Sequence, residues 1–161
     1  MNLCLRLIKS SLFLLIATIL ICCDNSKSNC KYYDGFKLYL SQVYDLDISA
    51  KDERIFYVLP LEGCDECLKI NLNLLLERNF YSSKVTIILT GRNFNDIIKG
   101  QIEEIKRKYP ILEDGKNLIH QFETGFGKPL LVHVKNGDCL FATSIADSEI
   151  ESVKEYILDN S

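Results

Sequence analysis

The chain has 161 residues, of which 47% are hydrophobic and 25% are charged, an ordinary balance for a folded globular protein. That balance argues against a wholly disordered chain and against a membrane protein with many spans. The 19 basic residues are outnumbered by 22 acidic ones, for a formal net charge of −3, so phosphate neutralisation is not favoured and we expect no nucleic-acid partner.

The first 22 residues predict a bacterial lipoprotein signal peptide. A short basic start with Arg6 and Lys9 leads into the apolar run Leu12–Ile21, which is too short to span a bilayer as a stable helix but has the layout of a secretory signal. The end of the run resembles the lipobox of bacterial lipoproteins, with Cys23 as the lipidated residue and Cys22 at the small position before it, where Gly, Ala or Ser is usual. The alternative is an uncleaved N-terminal anchor helix.

Three segments are expected along the chain. Residues 1–22 form the signal peptide, residues 23–32 the lipidated cysteine and a polar tether, and residues 33–161 one folded domain. Cleavage removes two of the 19 basic residues and no acidic ones, so the mature domain is more acidic still and is not drawn to anionic lipid. We expect the lipid to hold it at a membrane of the bacterial envelope, facing the periplasm or the exterior.

From about Tyr33 the chain alternates between helical periodicity and short β-branched or aromatic runs. In chain order, the predicted elements are a helix over Phe36–Tyr44, a strand over Arg54–Leu59, a helix from Cys64 to Leu76, a strand over Lys84–Leu89, a helix with Ile97, Ile98, Ile102 and Ile105 on its inner face, two strands over Leu130–Val134 and Cys139–Ile145 joined by an Asn136-Gly137 hairpin turn, and a last helix with Ile150, Val153 and Ile157 inside.

This order predicts an α/β fold with a mixed central sheet covered by helices on both faces. The two βα units, the hairpin and the closing helix each contribute to one sheet. The segment Ile111–Lys128 is weakly patterned, and Leu118–Phe122 within it is either a short strand or a turn of helix. A long connection of this kind often packs near a functional site.

Two cysteines lie where the first predicted strand gives way to a helix. Cys64 and Cys67 are separated by two residues, which brings their sulfurs close enough for a disulfide across one helical turn. A helix N-terminus presents unpaired N–H groups and a partial positive charge, which stabilise a thiolate. We therefore expect Cys64, at the helix tip, to be the more exposed and Cys67 to lie deeper.

The cysteine pair and Lys128-Pro129, which precedes the hairpin segment Leu130–Gly137, together resemble the thioredoxin superfamily. The resemblance covers about residues 33–160. It implies a thioredoxin-like fold, Cys64 as the attacking and Cys67 as the resolving cysteine, and Pro129 as the substrate-docking cis-proline. With the lipobox, the chain resembles the envelope-tethered thioredoxin-like proteins of bacteria and is expected to be a membrane-anchored thiol–disulfide oxidoreductase.

The sequence departs from the family pattern around the pair. Gly63 precedes Cys64 where the family often has Trp, and Asp65-Glu66 stands where Gly-Pro is frequent. No particular partner is therefore inherited. We expect protein dithiol or disulfide substrates, a redox partner in the envelope, no cofactor and a monomeric state.

The acids around the pair also suggest the direction of the reaction. Glu62, Asp65 and Glu66 place up to three carboxylates near the thiolate of the attacking cysteine, and Lys128 is the one nearby cation expected to offset them. Like charge disfavours the thiolate and so the reduced form. We therefore predict a reducing protein.

Alternatives stay open for the pair. In an oxidising compartment it could be a structural disulfide, although so small a loop constrains the unfolded chain little. The fold could also serve as a non-catalytic binding module of the envelope. A copper-handling protein would use the two cysteines with His120 or, less readily, His133. A structural zinc site needs four ligands in a recognised spacing, and we expect no metal.

The sequence does not assign a single state to Cys30 and Cys139. They could pair with each other, pair between molecules or stay as thiols, and the simplest interpretation of Cys139 is a small buried hydrophobe.

Overall fold

The structure is a computed structural model that describes residues 30–48, 52–77 and 82–160. The predicted signal peptide and Cys23 lie outside the described residues. In the described part of the chain, no helix combines the length and the apolar character that crossing a membrane requires.

The described residues form four α-helices, five strands and two short 3₁₀ helices. In chain order they are α1 (Tyr33–Tyr44), β1 (Glu53–Pro60), α2 (Asp65–Leu76), β2 (Val85–Thr90), α3 (Asp96–Lys108), β3 (Ile111–Asp114), a 3₁₀ helix (Leu118–Gln121), β4 (Leu130–Lys135), β5 (Asp138–Ser144), a second 3₁₀ helix (Asp147–Glu149) and α4 (Ile150–Asp159).

All five strands belong to one mixed sheet in the order β3-β2-β1-β4-β5. The first three run parallel to one another, and β4 and β5 are antiparallel to their neighbours. The hairpin between β4 and β5 turns at Asn136 and Gly137, which both have positive φ, as a two-residue primed turn requires. The predicted α/β fold is confirmed, with β3 as a strand that the sequence did not predict.

Helices cover both faces of the sheet. Alternate residues of β1 point to opposite sides, so Ile55 and Tyr57 contact the core under α2, α3 and α4, whereas Phe56 and Val58 contact the core under α1. Because both of its faces are buried, β1 reads in sequence as a continuous apolar run rather than an alternation. The centre of the sheet is thus β1, the strand that leads into the cysteine pair.

The strand register defines the two edges of the sheet. At the carboxyl-terminal edge, Pro60 of β1 lies opposite Thr90 of β2, and β4 begins at Leu130, opposite Val58. At the amino-terminal edge, Glu53 lies opposite Lys135, just before the hairpin turn. Loops that leave the carboxyl-terminal edge therefore meet each other, far from the hairpin.

Cys30 and Cys139 form a disulfide with their Cα atoms 6.1 Å apart. It ties the start of the described chain to the hairpin, where the Tyr33 hydroxyl also donates to the carbonyl of Gly137 at 2.8 Å. Cys139 is half-buried, so its interpretation as a small buried hydrophobe is wrong, because its side chain faces Cys30 rather than the core.

A buried histidine lies at the amino-terminal edge. His133 is 1% exposed, its Nδ1 is 2.8 Å from the Tyr156 hydroxyl, and its Nε2 is 3.1 Å from Glu53 Oε1. Burial lowers the pKa of His133, and the hydrogen bond with Glu53 opposes that effect only in part. The neutral imidazole is therefore the form that the fold favours.

This gives a pH prediction for stability. Below pH of about 6.5 the unfolded chain takes up a proton at this histidine that the folded chain resists, so the unfolded state binds more protons. The free energy of unfolding is expected to fall as the pH drops from about 6.5 to the lower folded-state pKa of His133. Urea unfolding at a series of pH values measures it. His133→Gln should flatten this slope and His120→Gln, at an exposed position, should not; an unchanged slope in His133→Gln would contradict the assignment.

Candidate active site

The connection from β1 to α2 is a tight turn at the carboxyl-terminal edge of the sheet. Leu61 N–H still donates to the Thr90 carbonyl at 2.8 Å, and Gly63 then reverses the chain with φ of 106°. A side chain at this φ would be strained. Glycine before Cys64 is thus what this turn requires.

Cys64 is the N-cap of α2. Its backbone is extended, and its Sγ accepts the backbone N–H of Cys67 at 3.2 Å. An N–H donor aimed at sulfur, together with the helix end, favours a thiolate at this position once the pair is reduced. Cys64 thus lies at the tip of α2, as the sequence predicted.

The two cysteines form a disulfide across the first turn of the helix, with Cα atoms 5.3 Å apart. Cys64 is exposed and Cys67 is half-buried. The exposures follow the expected order, so an incoming reagent meets the sulfur of Cys64 first.

Glu62 points toward the loops that follow β2 and β3. Its Oε1 accepts the backbone N–H of Arg92 at 3.3 Å, and its Oε2 accepts the amide of Asn117 at 3.1 Å. Gly91 has φ of 75°, where a side chain is strained, and a Cβ there would lie 2.9 Å from this carboxylate and displace it. These contacts hold the carboxylate by neutral donors, which leave its charge in place.

Asp65 is held in the same way by the loop before α3. Its Oδ2 accepts the amide of Asn95 at 3.0 Å and its Oδ1 that of Asn93 at 3.3 Å. Asn93 also donates to the Leu61 carbonyl at 2.8 Å, and Asn95 caps α3 by accepting the Ile97 N–H at 3.0 Å. The starts of α2 and α3 are therefore joined by side-chain hydrogen bonds.

Glu66 carries the one acid–base ion pair of the cysteine turn among the described residues. Lys69 Nζ lies 2.7 Å from Glu66 Oε1, and the hydrogen bond raises the pKa of Lys69. Lys128 is exposed and, in the described part of the chain, forms no ion pair with the three acids. The cation beside them is Lys69 rather than the expected Lys128.

Pro129 lies at the same edge of the sheet as the cysteine pair. The register of β4 on β1 places it one step beyond the Val58–Leu130 pair, and its carbonyl accepts the Ile145 N–H at 2.6 Å. The peptide bonds of the described residues are all trans, so the expected cis geometry at Pro129 is wrong. The trans isomer is the one that X–Pro bonds favour, by about 0.5–1 kcal/mol.

Two apolar side chains are unusually exposed beside the site. Phe94 is 81% and Ile97 is 70% exposed, on either side of Asn95, which binds Asp65. Ile97 and Ile98 were both expected on the inner face of this helix, and the structure buries Ile98 there but leaves Ile97 exposed. A phenylalanine just before a helix can pack against an apolar residue in the first turn, an arrangement called a hydrophobic staple. The residue at that position here is Lys99, so a staple does not account for Phe94.

The two histidines do not join the cysteines. His133 lies at the opposite edge of the sheet, and His120 is exposed, its ring centroid 5.5 Å from that of Phe126. Among residues 30–48, 52–77 and 82–160, no group of three or more His, Cys, Asp or Glu side chains is placed to hold a metal ion.

Comparisons with known proteins were made for sequence and for structure. No protein-family model matches the sequence, and the search of curated proteins gives no significant match. Similar solved structures include a thioredoxin-like protein in its oxidised form (15% identity, TM-score 0.47, 68% of this chain and 81% of that one) and a thioredoxin-like protein from Porphyromonas gingivalis (12%, 0.39, 70% and 79%).

A secreted thiol–disulfide isomerase from Corynebacterium glutamicum is also similar (14% identity, TM-score 0.36, 68% of this chain and 72% of that one). At such identities and TM-scores no activity transfers from these proteins to this chain.

Proposed function

We propose that this chain is a thiol–disulfide oxidoreductase whose attacking cysteine is Cys64 and whose resolving cysteine is Cys67. One observation carries the proposal: an exposed sulfur at the start of α2 accepts the Cys67 N–H at 3.2 Å and lies in disulfide contact with Cys67. The N–H donor and the helix end support a thiolate there against the nearby acids, and a second thiol is in reach. Both requirements of disulfide exchange are met by one helical turn.

The reaction proceeds in two exchanges. The Cys64 thiolate attacks one sulfur of a substrate disulfide, forms a mixed disulfide and releases the other substrate sulfur as a thiolate. Cys67 loses its proton to solvent and attacks Cys64 Sγ, which releases the second substrate thiolate and forms the Cys64–Cys67 disulfide. The substrate gains two electrons and the pair loses two, so a redox partner that supplies dithiol electrons must restore it.

The proposed substrate is a protein disulfide, and two features of the surroundings support this. Pro129 directly precedes β4 at the same edge of the sheet as the pair and is proposed to dock the substrate backbone. The exposed side chains of Phe94 and Ile97 offer an apolar surface that a protein substrate can cover and that a small-molecule disulfide is too small to cover.

We propose that the protein works as a reductant. Glu62 and Asp65 are held by neutral donors, and among the described residues the cation paired with these acids is Lys69, which binds Glu66 on the surface, where such pairs contribute little. At an effective dielectric constant between about 20 and 80, a carboxylate about 6 Å from a thiolate costs it roughly 0.7–3 kcal/mol, against about 0.3–1 kcal/mol from the helix end. The reduced form is then poorly stabilised, and we expect a midpoint near −270 mV rather than about −120 mV.

Neutralising these acids is expected to raise the potential. Asp65→Asn/Glu66→Gln should lower the pKa of Cys64 in the reduced protein and raise the midpoint by roughly tens of millivolts, since 30 mV corresponds to about 1.4 kcal/mol. Equilibration with glutathione buffers, followed by alkylation and mass measurement, gives both midpoints. The matched control is Glu104→Gln/Glu155→Gln, two exposed acids on other helices, which should leave the midpoint unchanged.

A wild-type midpoint above about −180 mV, the range of protein disulfide isomerase, would overturn the reducing direction. A pair that mild reductant does not open would favour a binding module, with Cys64–Cys67 as a fixed disulfide.

We further propose that Cys23 carries the lipid that tethers the domain to an envelope membrane. In a bacterial host, Cys23→Ser is expected to lose palmitate label and either leave the membrane fraction or keep its signal peptide. Cys22→Ser is the matched control, because it restores a usual small residue before the cleavage site and should keep the label. Label that survives in Cys23→Ser would contradict the lipoprotein assignment.

A further inference from the structure

A buried polar side chain of α2 connects the core to the resolving cysteine. Asn71 is 1% exposed and lies on the helix face formed by Leu68, Leu72 and Leu75. Its Nδ2 donates to the Cys67 carbonyl at 2.7 Å, and its Oδ1 accepts the hydroxyl of Tyr57.

Tyr57 is fully buried in β1. Two hydrogen bonds thus join the central strand of the sheet, through Asn71, to the backbone of Cys67.

The direction of these bonds is fixed by chemistry. A carbonyl oxygen only accepts hydrogen bonds, so the Asn71 amide turns its nitrogen toward Cys67 and its oxygen toward Tyr57. Burial raises the pKa of the Tyr57 hydroxyl, so this donor keeps its proton throughout the pH range of disulfide exchange. The chain of bonds therefore has one arrangement of donors and acceptors.

The stability of the fold alone does not require the polar side chains of Tyr57 and Asn71. The rest of the buried face of α2 is leucine, and an apolar residue of similar size at position 71 would need no partner. A buried polar group costs free energy unless it is bonded. What Asn71 adds is a hold on the Cys67 carbonyl, at a residue whose own N–H donates to the sulfur of Cys64.

We propose that Tyr57 and Asn71 are positioning residues for the resolving step, holding the first turn of α2 so that the sulfur of Cys67 stays in reach of Cys64. The inference rests on the proposed function and assigns these residues to ring closure alone. The first attack needs no such support, since Cys64 is exposed and lies at the helix tip.

Ring closure is measured with the full chain and an aromatic disulfide probe, 5,5′-dithiobis(2-nitrobenzoate). The other free thiols are first blocked by alkylation while the pair is oxidised, and the Cys64–Cys67 pair alone is then reduced, so that only these two cysteines react with the probe. The Cys64 thiolate of the reduced protein attacks the probe, forms a mixed disulfide and releases one coloured thiolate. Cys67 then loses its proton to buffer and attacks Cys64 Sγ, which forms the protein disulfide and releases a second coloured thiolate. The two releases separate the attack from the closure, and the probe gains the two electrons that the cysteines lose.

The informative variant is Tyr57→Phe/Asn71→Leu, which removes the polar side-chain atoms of the chain of bonds and leaves an apolar core of similar volume. We expect stability near that of the wild type, a first release within about twofold and a closure slowed about tenfold or more, because misplacement by about 1 Å costs such factors. Tyr57→Phe alone, which removes only the hydroxyl, should slow closure less.

Asn73→Leu is the matched control, because Asn73 is exposed on the same helix and its Oδ1 bonds Gln101 rather than the cysteine turn. It should change neither release. Closure at the wild-type rate in both Tyr57→Phe and the double variant would overturn the inference, as would equal slowing of both releases, which would show a general structural defect. A wild type that closes rapidly on the probe but reduces no protein disulfide would instead disprove the proposed function.

Discussion

A Cys67→Ser variant is expected to accumulate mixed disulfides with a protein substrate, linked through Cys64. The exposed sulfur of Cys64 can still attack, whereas the resolving thiol is gone. Cys64→Ser should accumulate roughly tenfold less adduct or lower still, because Cys67 is half-buried and a shielded thiol exchanges slowly. Acid quenching, non-reducing electrophoresis and mass spectrometry of the adducts measure both.

The Cys64→Ser/Cys67→Ser variant is the control and should trap nothing. Equal trapping by the two single variants would contradict the assignment of roles, since it would show that both sulfurs meet the substrate alike.

Removing the Cys30–Cys139 disulfide is expected to cost much of the stability of the domain. The bond spans 109 residues, and closing so long a loop restricts the unfolded chain strongly, so Cys30→Ser/Cys139→Ser should lower the free energy of unfolding by about 2–5 kcal/mol. Urea unfolding of the full chain, with the other cysteines kept oxidised, measures the loss.

The matched control removes the other disulfide. Cys64→Ser/Cys67→Ser opens a bond with a sequence separation of 3, which restrains the unfolded chain far less, so its loss should be smaller. The opposite order of the two losses would show that the Cys30–Cys139 bond does not hold the folded domain together.

The fold followed from the sequence where local pattern and burial agree. The strand around Arg54–Leu59 is central and buried on both faces, so its apolar run is unbroken. The sequence did not predict β3 (Ile111–Asp114), the outermost strand beside β2. Its four residues show no alternation of apolar and polar side chains and owe their conformation to pairing with β2. Ile97 was misplaced because two adjacent isoleucines both fit the helical period, and only packing decides which one is buried.

The sequence predicts those features of the site that depend on residues close together in the chain. Cys64 and Cys67 lie one helical turn apart, and the acids beside them are sequence neighbours. The partners of Glu62 and Asp65 come from the loops after β2 and β3, as with Asn95 and Asn117, so no local pattern reveals them. A signal did exist for Asn95, since an Asn just before a helical period is an N-cap preference.

Tyr57 and Asn71 carried no such signal. Each sits in an apolar run, seven residues before or after Cys64, and a tyrosine in a strand or an asparagine in a helix has no special meaning by itself. Their bond exists because the sheet and α2 pack face to face, which only the folded chain shows.

The most direct measurement is the rate at which the purified wild-type protein catalyses insulin reduction, with dithiothreitol as electron donor. The proposed mechanism predicts a rate well above that of dithiothreitol alone, and a Cys64→Ser variant at that background. A wild type at background, with its Cys64–Cys67 pair shown by alkylation to be reduced in the assay, would contradict the assignment as a thiol–disulfide oxidoreductase.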